Sequence, residues 1–255
     1  MKIKCILKVP VNQLRLLKKI GAMNYLRYRR ARLGERISMT LKNNLVCIRK
    51  GTGDLGVAIS CLIDGEFDAI SEHLDKSFNG VIVDAGGYIG TAALALSRMF
   101  PYAQVISIEP SETNIEILKI NVAGFNNIRV VYGALVGRDI SEIELRNRGT
   151  GSYGFTVIEK PRDNLSAEIL HKTPAFTLRK LVVNSAEIGV LKLDIEGGEF
   201  DLFTNDAETL REVKIVVVEL HDRIAAGCTK AFNQFSKGRL VFKDNGEKYF
   251  SVKQG

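Results

Sequence analysis

The chain has 255 residues, 45% of them hydrophobic, which fits one large domain with a full core, or one domain and an extension. Its net charge of +7 is entirely N-terminal: residues 1–36 hold 11 Lys or Arg against the single acid Glu35, leaving 25 basic and 28 acidic residues for the remainder. Cysteines at 5, 47, 61 and 228 form no C-x-x-C pair, residues 1–10 alternate Lys with apolar residues rather than building a signal peptide, and no run approaches the roughly 18 apolar residues of a membrane span, so a reduced, cytoplasmic setting is expected, without a zinc site or a redox dithiol.

Residues 11–33 carry apolar side chains at Leu16, Ile20, Met23, Leu26 and Leu33, close to helical spacing, with Tyr25 and Tyr28 flanking the arginines. This predicts a basic helical N-terminal extension over 1–45. Such a helix lies on an anionic surface at the cytoplasmic face of a membrane, binds nucleic acid (the less favoured partner), or packs on the domain with a solvated cationic face. The main domain is expected over 46–255. A strand over 45–48 leads to the turn Gly51-Thr52-Gly53-Asp54, then helices over 57–63 and 67–74 around Asp64-Gly65.

From residue 81 onward strands and helices alternate, the pattern of a parallel sheet covered on both faces. Strands are predicted over 81–84, 105–108, 128–132, 189–195 and 214–220. Helices are predicted over 90–100, stopped by Pro101, over 111–123, started by Pro110 and Ser111, and from about 199. Residues 141–178 read as an insertion or lid, with short strand-like runs at 142–145 and 153–157 and prolines at 161 and 174. The end is a hairpin of 240–242 and 249–252 about Asp244-Asn245-Gly246. The fold class expected is therefore α/β and Rossmann-like, a mostly parallel seven-stranded sheet ending in an antiparallel hairpin. That is the layout of class I methyltransferases, whereas the dinucleotide dehydrogenase sheet ends differently.

Asp84-Ala85-Gly86-Gly87-Tyr88-Ile89-Gly90 joins the first of these strands to its helix, and Glu109-Pro110 ends the next strand. A glycine turn lets polar ligand atoms approach the backbone, and an acid at the end of the second strand can accept from a ribose diol. A dinucleotide site wants G-x-G-x-x-G. Here the glycines fall at 86, 87 and 90, and Asp84 would repel a pyrophosphate but suit an ammonium. The pattern favours S-adenosylmethionine over NAD.

A second constellation ends the strands over 189–195 and 214–220: Lys192, Asp194, Glu196 and Glu199, then Glu219 and His221. Strand alternation sets Lys192, Asp194 and Glu196 on one side if the strand stays regular, and Glu219 with His221 likewise. Methyl transfer to a hydroxyl gains from a general base. His221 is the natural candidate by its reference pKa, with Asp194, Glu196 and Glu219 beside it. Glu199 is better read as an acid favouring a helix N-terminus. Asp194, Glu219 and His221 can also ligate a hard divalent ion, although no spacing motif demands a metal. An N-P-P-Y-like run, the mark of amino methylation in this fold, is replaced by Asp194-Ile195-Glu196-Gly197. His73 and His171 have no motif around them.

The chain resembles the FkbM family of S-adenosylmethionine-dependent methyltransferases over roughly 81–222. The resemblance rests on the 83–90 turn, on Ile108-Glu109-Pro110 with Asn114, on Phe176-Thr177-Leu178, on the run Leu191-Lys192-Leu193-Asp194-Ile195-Glu196-Gly197-Gly198-Glu199, and on Val218-Glu219-Leu220-His221. It departs at Gly87-Tyr88, where the family usually has Ala-Asn, and at Arg179, where the family often has Asp. The resemblance implies O-methylation of a small-molecule, natural-product or glycan hydroxyl. The cofactor set then comprises Asp84, Gly86, Tyr88, Gly90, Glu109, Pro110, Asn114, Ala134 and Asp194. Ribose methylation of RNA and a non-catalytic cofactor-binding module are the rival expectations, the first from the basic arm and the second from Tyr88 and Arg179.

Overall fold

The computed structural model describes residues 11–182, 186–244 and 246–254; Cys5 with the rest of 1–10, and Asn245 of the expected final turn, lie outside them. The basic arm is two helices rather than one, α1 (Val11–Ile20) and α2 (Ala22–Arg30). Gly21 separates them at φ +79, a backbone state that ends a helix cheaply only at glycine. Ile20 is buried in the core, and Leu16, Tyr25, Tyr28 and Ala31 pack against it. Lys50 sits 3.4 Å above the Tyr28 ring, and Lys19 pairs with Asp64.

β1 (Arg36–Leu41) follows, a strand absent from the sequence reading although its residues alternate strictly between exposed and buried. It pairs antiparallel with β2 (Asn44–Arg49), and Lys42 and Asn43, both at positive φ, make the two-residue turn. The boundary expected between 45 and 46 thus falls inside a hairpin whose two strands bury Met39, Leu41, Val46 and Ile48 in one core. α3 (Asp54–Leu62) begins three residues earlier than expected. The helix expected over 67–74 is a 3-10 turn at Asp68–Glu72.

The central elements are β3 (Val81–Ala85), α4 (Thr91–Met99), β4 (Gln104–Glu109), α5 (Glu112–Val122) and β5 (Ile128–Tyr132). β6 (Ala134–Leu135), β7 (Glu142–Asn147) and β8 (Glu168–Phe176) then build a separate three-stranded sheet in the order β6-β8-β7. The nine residues of β8 were expected only as polar lid, and the run at 153–157 forms no strand but a single bridge from Thr156 to Arg146. Pro174 stands opposite Glu142, the first residue of β7, so its missing N–H falls at the end of the ladder.

α6 (Leu178–Leu181), β9 (Ile188–Leu193), α7 (Glu199–Asn205), α8 (Ala207–Arg211), β10 (Ile215–Glu219), α9 (Cys228–Phe235), β11 (Arg239–Lys243) and β12 (Lys248–Lys253) complete the chain. The main sheet has seven strands in the order β11-β12-β10-β9-β3-β4-β5. β12 runs antiparallel between β10 and β11, while β10, β9, β3, β4 and β5 are mutually parallel. This is the expected Rossmann-like class I arrangement. Alternation along the strands splits the core into two faces. Ile82, Val105, Val190 and Val217 pack with the N-terminal hairpin, α3 and α4. Val83, Ile106, Leu191 and Val216 pack with α6 to α9. Cys47, Cys61 and Cys228 are free and buried. Among the described residues no helix is long and apolar enough to cross a membrane.

Because β1 is part of the first core, Met39→Ala should lower stability by about 2–5 kcal/mol in urea unfolding. A loss of only a few tenths would mean that the hairpin is an appendage.

Candidate active site

Strand register brings the polar residues together in rows across the sheet. Asp84 lies opposite Ser107 on one side and Lys192 on the other. All three point to the same face, where Ser107 donates to Asp84 Oδ2 at 2.8 Å and the Lys192 ammonium lies 3.0 Å from Asp84 Oδ1. Asp84 is fully buried, so its charge is neutralised inside the sheet. It is not free to meet a ligand's ammonium, and that part of the sequence reading is corrected. Lys192 also donates to the Gly86 carbonyl at 2.8 Å, fixing the turn above it.

At the turn, a Cβ on Gly86 would stand 1.9 Å from the Asp194 carbonyl oxygen, and the residue adopts φ +77. The glycine is required first by the neighbouring strand end. Gly90 opens α4 at φ +83 and lets Leu118 and Val122 of α5 approach; it does not line the cavity. Tyr88 is held at φ +49, a strained state for a bulky residue. Its N–H donates to Glu109 Oε2 at 2.8 Å and its hydroxyl donates to Asp54. Arg49 grips Asp54 through two hydrogen bonds of 2.9 Å and donates to Asn114 Oδ1 at 3.0 Å. Burial with the adjacent Asp54 charge pushes the Tyr88 phenol well above its ordinary value, so it remains a donor. Glu109 also accepts from Ser111 N and Asn114 Nδ2. Burial raises its carboxyl to about 7 against those donors.

One cavity of about 430 Å³ runs along this edge. Gly86, Tyr88, Glu109, Pro110, Asn114 and Ala134 line it, together with Lys192, Asp194, Glu196 and Glu219. Ser152, Tyr153 and Phe155, from the loop between β7 and β8, line it as well. A second groove of about 610 Å³ shares Glu66, Glu219, Glu247 and Lys248 with it and adds Asp64 and Asp68. His171, expected as an ordinary lid residue, lies 3.1 Å from the Pro110 carbonyl.

The acidic side of the cavity is built from residues far apart in sequence. β12 starts at Lys248 directly opposite Glu219, where the parallel strands finish. The Lys248 ammonium lies 3.0 Å from Glu66 and 3.1 Å from both Asp194 Oδ2 and Glu219 Oε2. Burial opposes the Asp194 charge, but Lys248 and Lys192 outweigh it and hold that carboxyl well below the usual range. β9 ends at Leu193, so regular alternation stops before Glu196, which sits at φ +52. Arg148, buried at the end of the lid strand, donates to Glu196 Oε2, and Thr156 donates to the Glu196 carbonyl at 2.6 Å. Burial raises the Glu196 carboxyl to about 7 over the opposing His221 and Arg148 charges.

His221 stands behind this wall, 1% exposed, and does not line the cavity. As the expected general base it is therefore misplaced, because its side chain does not reach the cavity. Its Nδ1 is 3.0 Å from Glu199 Oε1, and Glu199 accepts from the backbone N–H groups of Ile195 and Gly197. Burial disfavours the imidazolium, but Glu199 and Glu219 prevail and push it up to about 11. Arg179 donates to Thr209 on α8 and takes no part in the site. Sequence reasoning missed Lys248, Arg148, Arg49 and Asp54. A charged residue opening a strand that otherwise reads as apolar was the one available signal, at Lys248.

The family model of the methyltransferase FkbM domain matches residues 84–249. Methyltransferase 1 of Beauveria bassiana (strain ARSEF 2860) is 26% identical over 198 residues, covering 70% of this chain and 78% of the fungal protein. The solved structure of methyltransferase FkbM from Methylobacillus flagellatus KT superposes with a TM-score of 0.45 at 13% identity, covering 68% of this chain; the chain spans 43% of that protein's length. TYW2 of M. jannaschii, solved in complex with AdoMet, superposes with a TM-score of 0.41 at 11% identity, covering 87% of this chain and 85% of that one.

The Glu109 carboxyl has a sign that can be checked. Its folded value of about 7 exceeds the ordinary 4.5. Between those values the folded chain keeps a proton that the unfolded chain releases, so this contribution is present at low pH and is lost as pH rises through the window. Glu109→Gln removes it. Urea unfolding at several pH values should show wild-type stability falling relative to the variant from about pH 5 to about pH 7. Parallel pH curves would refute the charge-averse setting of Glu109.

Proposed function

The chain belongs to the FkbM family of S-adenosylmethionine-dependent methyltransferases, and from that premise we propose that it methylates a hydroxyl of a sugar or similar polyol. The donor set fits the cofactor. Glu109 would accept from the ribose diol, Asn114, Pro110 and Ala134 would flank the nucleoside, and Asp194 offers a negative charge to the methionine ammonium. The bound cofactor supplies a methyl group already activated on a sulfonium. The protein's work is then to position the acceptor, exclude water and remove one proton.

The observation that carries the O-methyl reading is the group of carboxylates, Asp194, Glu196 and Glu219, that lines the cavity. Carboxylates accept hydrogen bonds from several hydroxyls at once. Asp194 Oδ2 and Glu219 Oε2 are engaged by Lys248. Glu196 gives Oε2 to Arg148, while its Oε1 lies 3.8 Å from His221, beyond hydrogen-bonding distance. Glu196 Oε1 is the group we assign to receive the acceptor's proton. The outer groove, lined by Asp64, Glu66, Asp68 and Glu247, repels phosphodiesters, which favours a neutral or amine-bearing acceptor over RNA.

Glu196→Gln should cut kcat by about 10²–10⁴ while leaving S-adenosylhomocysteine affinity near wild type by calorimetry. Unchanged kcat would remove Glu196 from the reaction. Labelled methyl transfer to glycan and RNA fractions tests the acceptor: label in RNA alone would overturn the polyol reading.

The arm suits a peripheral contact. Met23, Leu26 and Leu33 are exposed beside Arg27, Arg29, Arg30 and Arg32, the make-up of an interfacial helix. Lys19 ties α1 to Asp64 at the rim of the outer groove, so an anionic membrane bound by the arm would lie near the acceptor's route. Each basic side chain at such a surface contributes about 1 kcal/mol, falling with salt. The double variant Arg27→Glu with Arg30→Glu should sediment far less with phosphatidylserine vesicles at low salt. Equal sedimentation would reject the contact.

A further inference from the structure

His221 presents a buried nitrogen with nothing bonded to it. Its Nδ1 side is fixed by Glu199, and Nε2 has no hydrogen-bond partner although the residue is 1% exposed. That nitrogen faces three carboxylate oxygens: Glu219 Oε1 at 3.3 Å, Glu196 Oε1 at 3.8 Å and Asp194 Oδ1 at 4.0 Å. Lys248 holds the opposite oxygens, Oδ2 of Asp194 and Oε2 of Glu219. The ammonium therefore stands behind the two acids and leaves their other oxygens directed to the imidazole.

We propose that Asp194, Glu219 and His221 form a binding site for a first-row divalent cation of the Mn²⁺ and Zn²⁺ class at the acidic side of the cavity. Ligand atoms from these three residues lie within 4.8 Å of one another. For bonds of about 2.1 Å, ligands on one cation are separated by about 3.0 Å at a right angle and about 4.2 Å when opposite. The separations of 3.3 and 4.0 Å from Nε2 fall within that range. A carboxylate on the far ring nitrogen is the usual support of a metal-binding histidine, because it holds the Nδ1 proton and leaves the Nε2 lone pair to the cation once the Nε2 proton is released to solvent. Glu199 holds that place, itself anchored by two backbone N–H groups. The imidazole makes Mn²⁺ or Zn²⁺ a better fit than Mg²⁺, which prefers an all-oxygen octahedron. Asp194 and Glu219 line the cavity, so the open coordination positions face the acceptor. Hydroxyls of a vicinal diol are the ligands that would complete them. This last step rests on the polyol reading above; the cation site itself does not.

The test is Mn²⁺ binding to the full chain after chelator treatment, followed by electron paramagnetic resonance with neither cofactor nor acceptor present. Saturable binding is expected, displaced by Zn²⁺ and poorly by equimolar Mg²⁺. His221→Ala and Glu219→Gln should each weaken it at least ten-fold, and Glu199→Gln by roughly ten-fold. Circular dichroism establishes which variants are folded, and any folded one of the first two decides the matter. Failure of the folded wild-type chain to bind either metal would overturn the site, as would equal Mn²⁺ affinity in a folded His221→Ala or Glu219→Gln chain. A failed methyl-transfer assay with metal bound would count against the polyol reading alone.

Discussion

The buried pair of Asp84 and Lys192 is the interaction on which the rest of the site depends. Both side chains are almost wholly removed from water, 3.0 Å apart, in adjacent parallel strands. Removing one partner of such a pair strands a charge in the core, at a cost of about 3–5 kcal/mol. The pair also does more than neutralise itself. Lys192 reaches the carbonyls at Ala85 and Gly86, and Asp84 takes the Ser107 hydroxyl. Three strands and the glycine turn are thereby set relative to one another before any ligand arrives. A purely apolar row here would pack as well but would not tie down the turn's carbonyls.

Above that row the charges are arranged so that each has a counterpart on a different element. Lys248 reaches across from an antiparallel strand to acids of β9 and β10. Arg148 descends from the small sheet to Glu196. Glu196 keeps its left-handed backbone because the Thr156 hydroxyl and Arg148 hold it from above. The insertion is therefore part of the acidic side of the cavity, and not only a cover over it.

Much of this was legible in the sequence because it follows from local rules. The glycine turn, Glu109 at the end of its strand, and the acids after the fourth and fifth predicted strands are signalled by apolar runs that stop at polar residues. The failures share another cause. Asp84 read as a ligand because nothing local says that Lys192, more than a hundred residues later, will lie opposite it. His221 read as a base because its spacing from Glu219 gives the side of a strand but not its depth. Lys248, Arg148 and the pair of Arg49 with Asp54 come to the site only through long-range strand pairing and loop packing. β1 is a different case. Its alternation of Ile37, Met39 and Leu41 with polar residues was plain, but the basic stretch before it drew the reading toward a separate arm.

The clasp on Tyr88 crosses the boundary of the family match. Its phenol and the strained backbone beneath it are held by Asp54 and Arg49, which precede the matched residues 84–249. The cofactor turn is consequently not a transferable module. A chimera joining this segment to another relative's N-terminal piece would leave a buried phenol without its carboxylate acceptor, Asp54. Tyr88 and the pair of Arg49 with Asp54 therefore form one structural unit, and a segment exchange that divides them separates a buried donor from its acceptor.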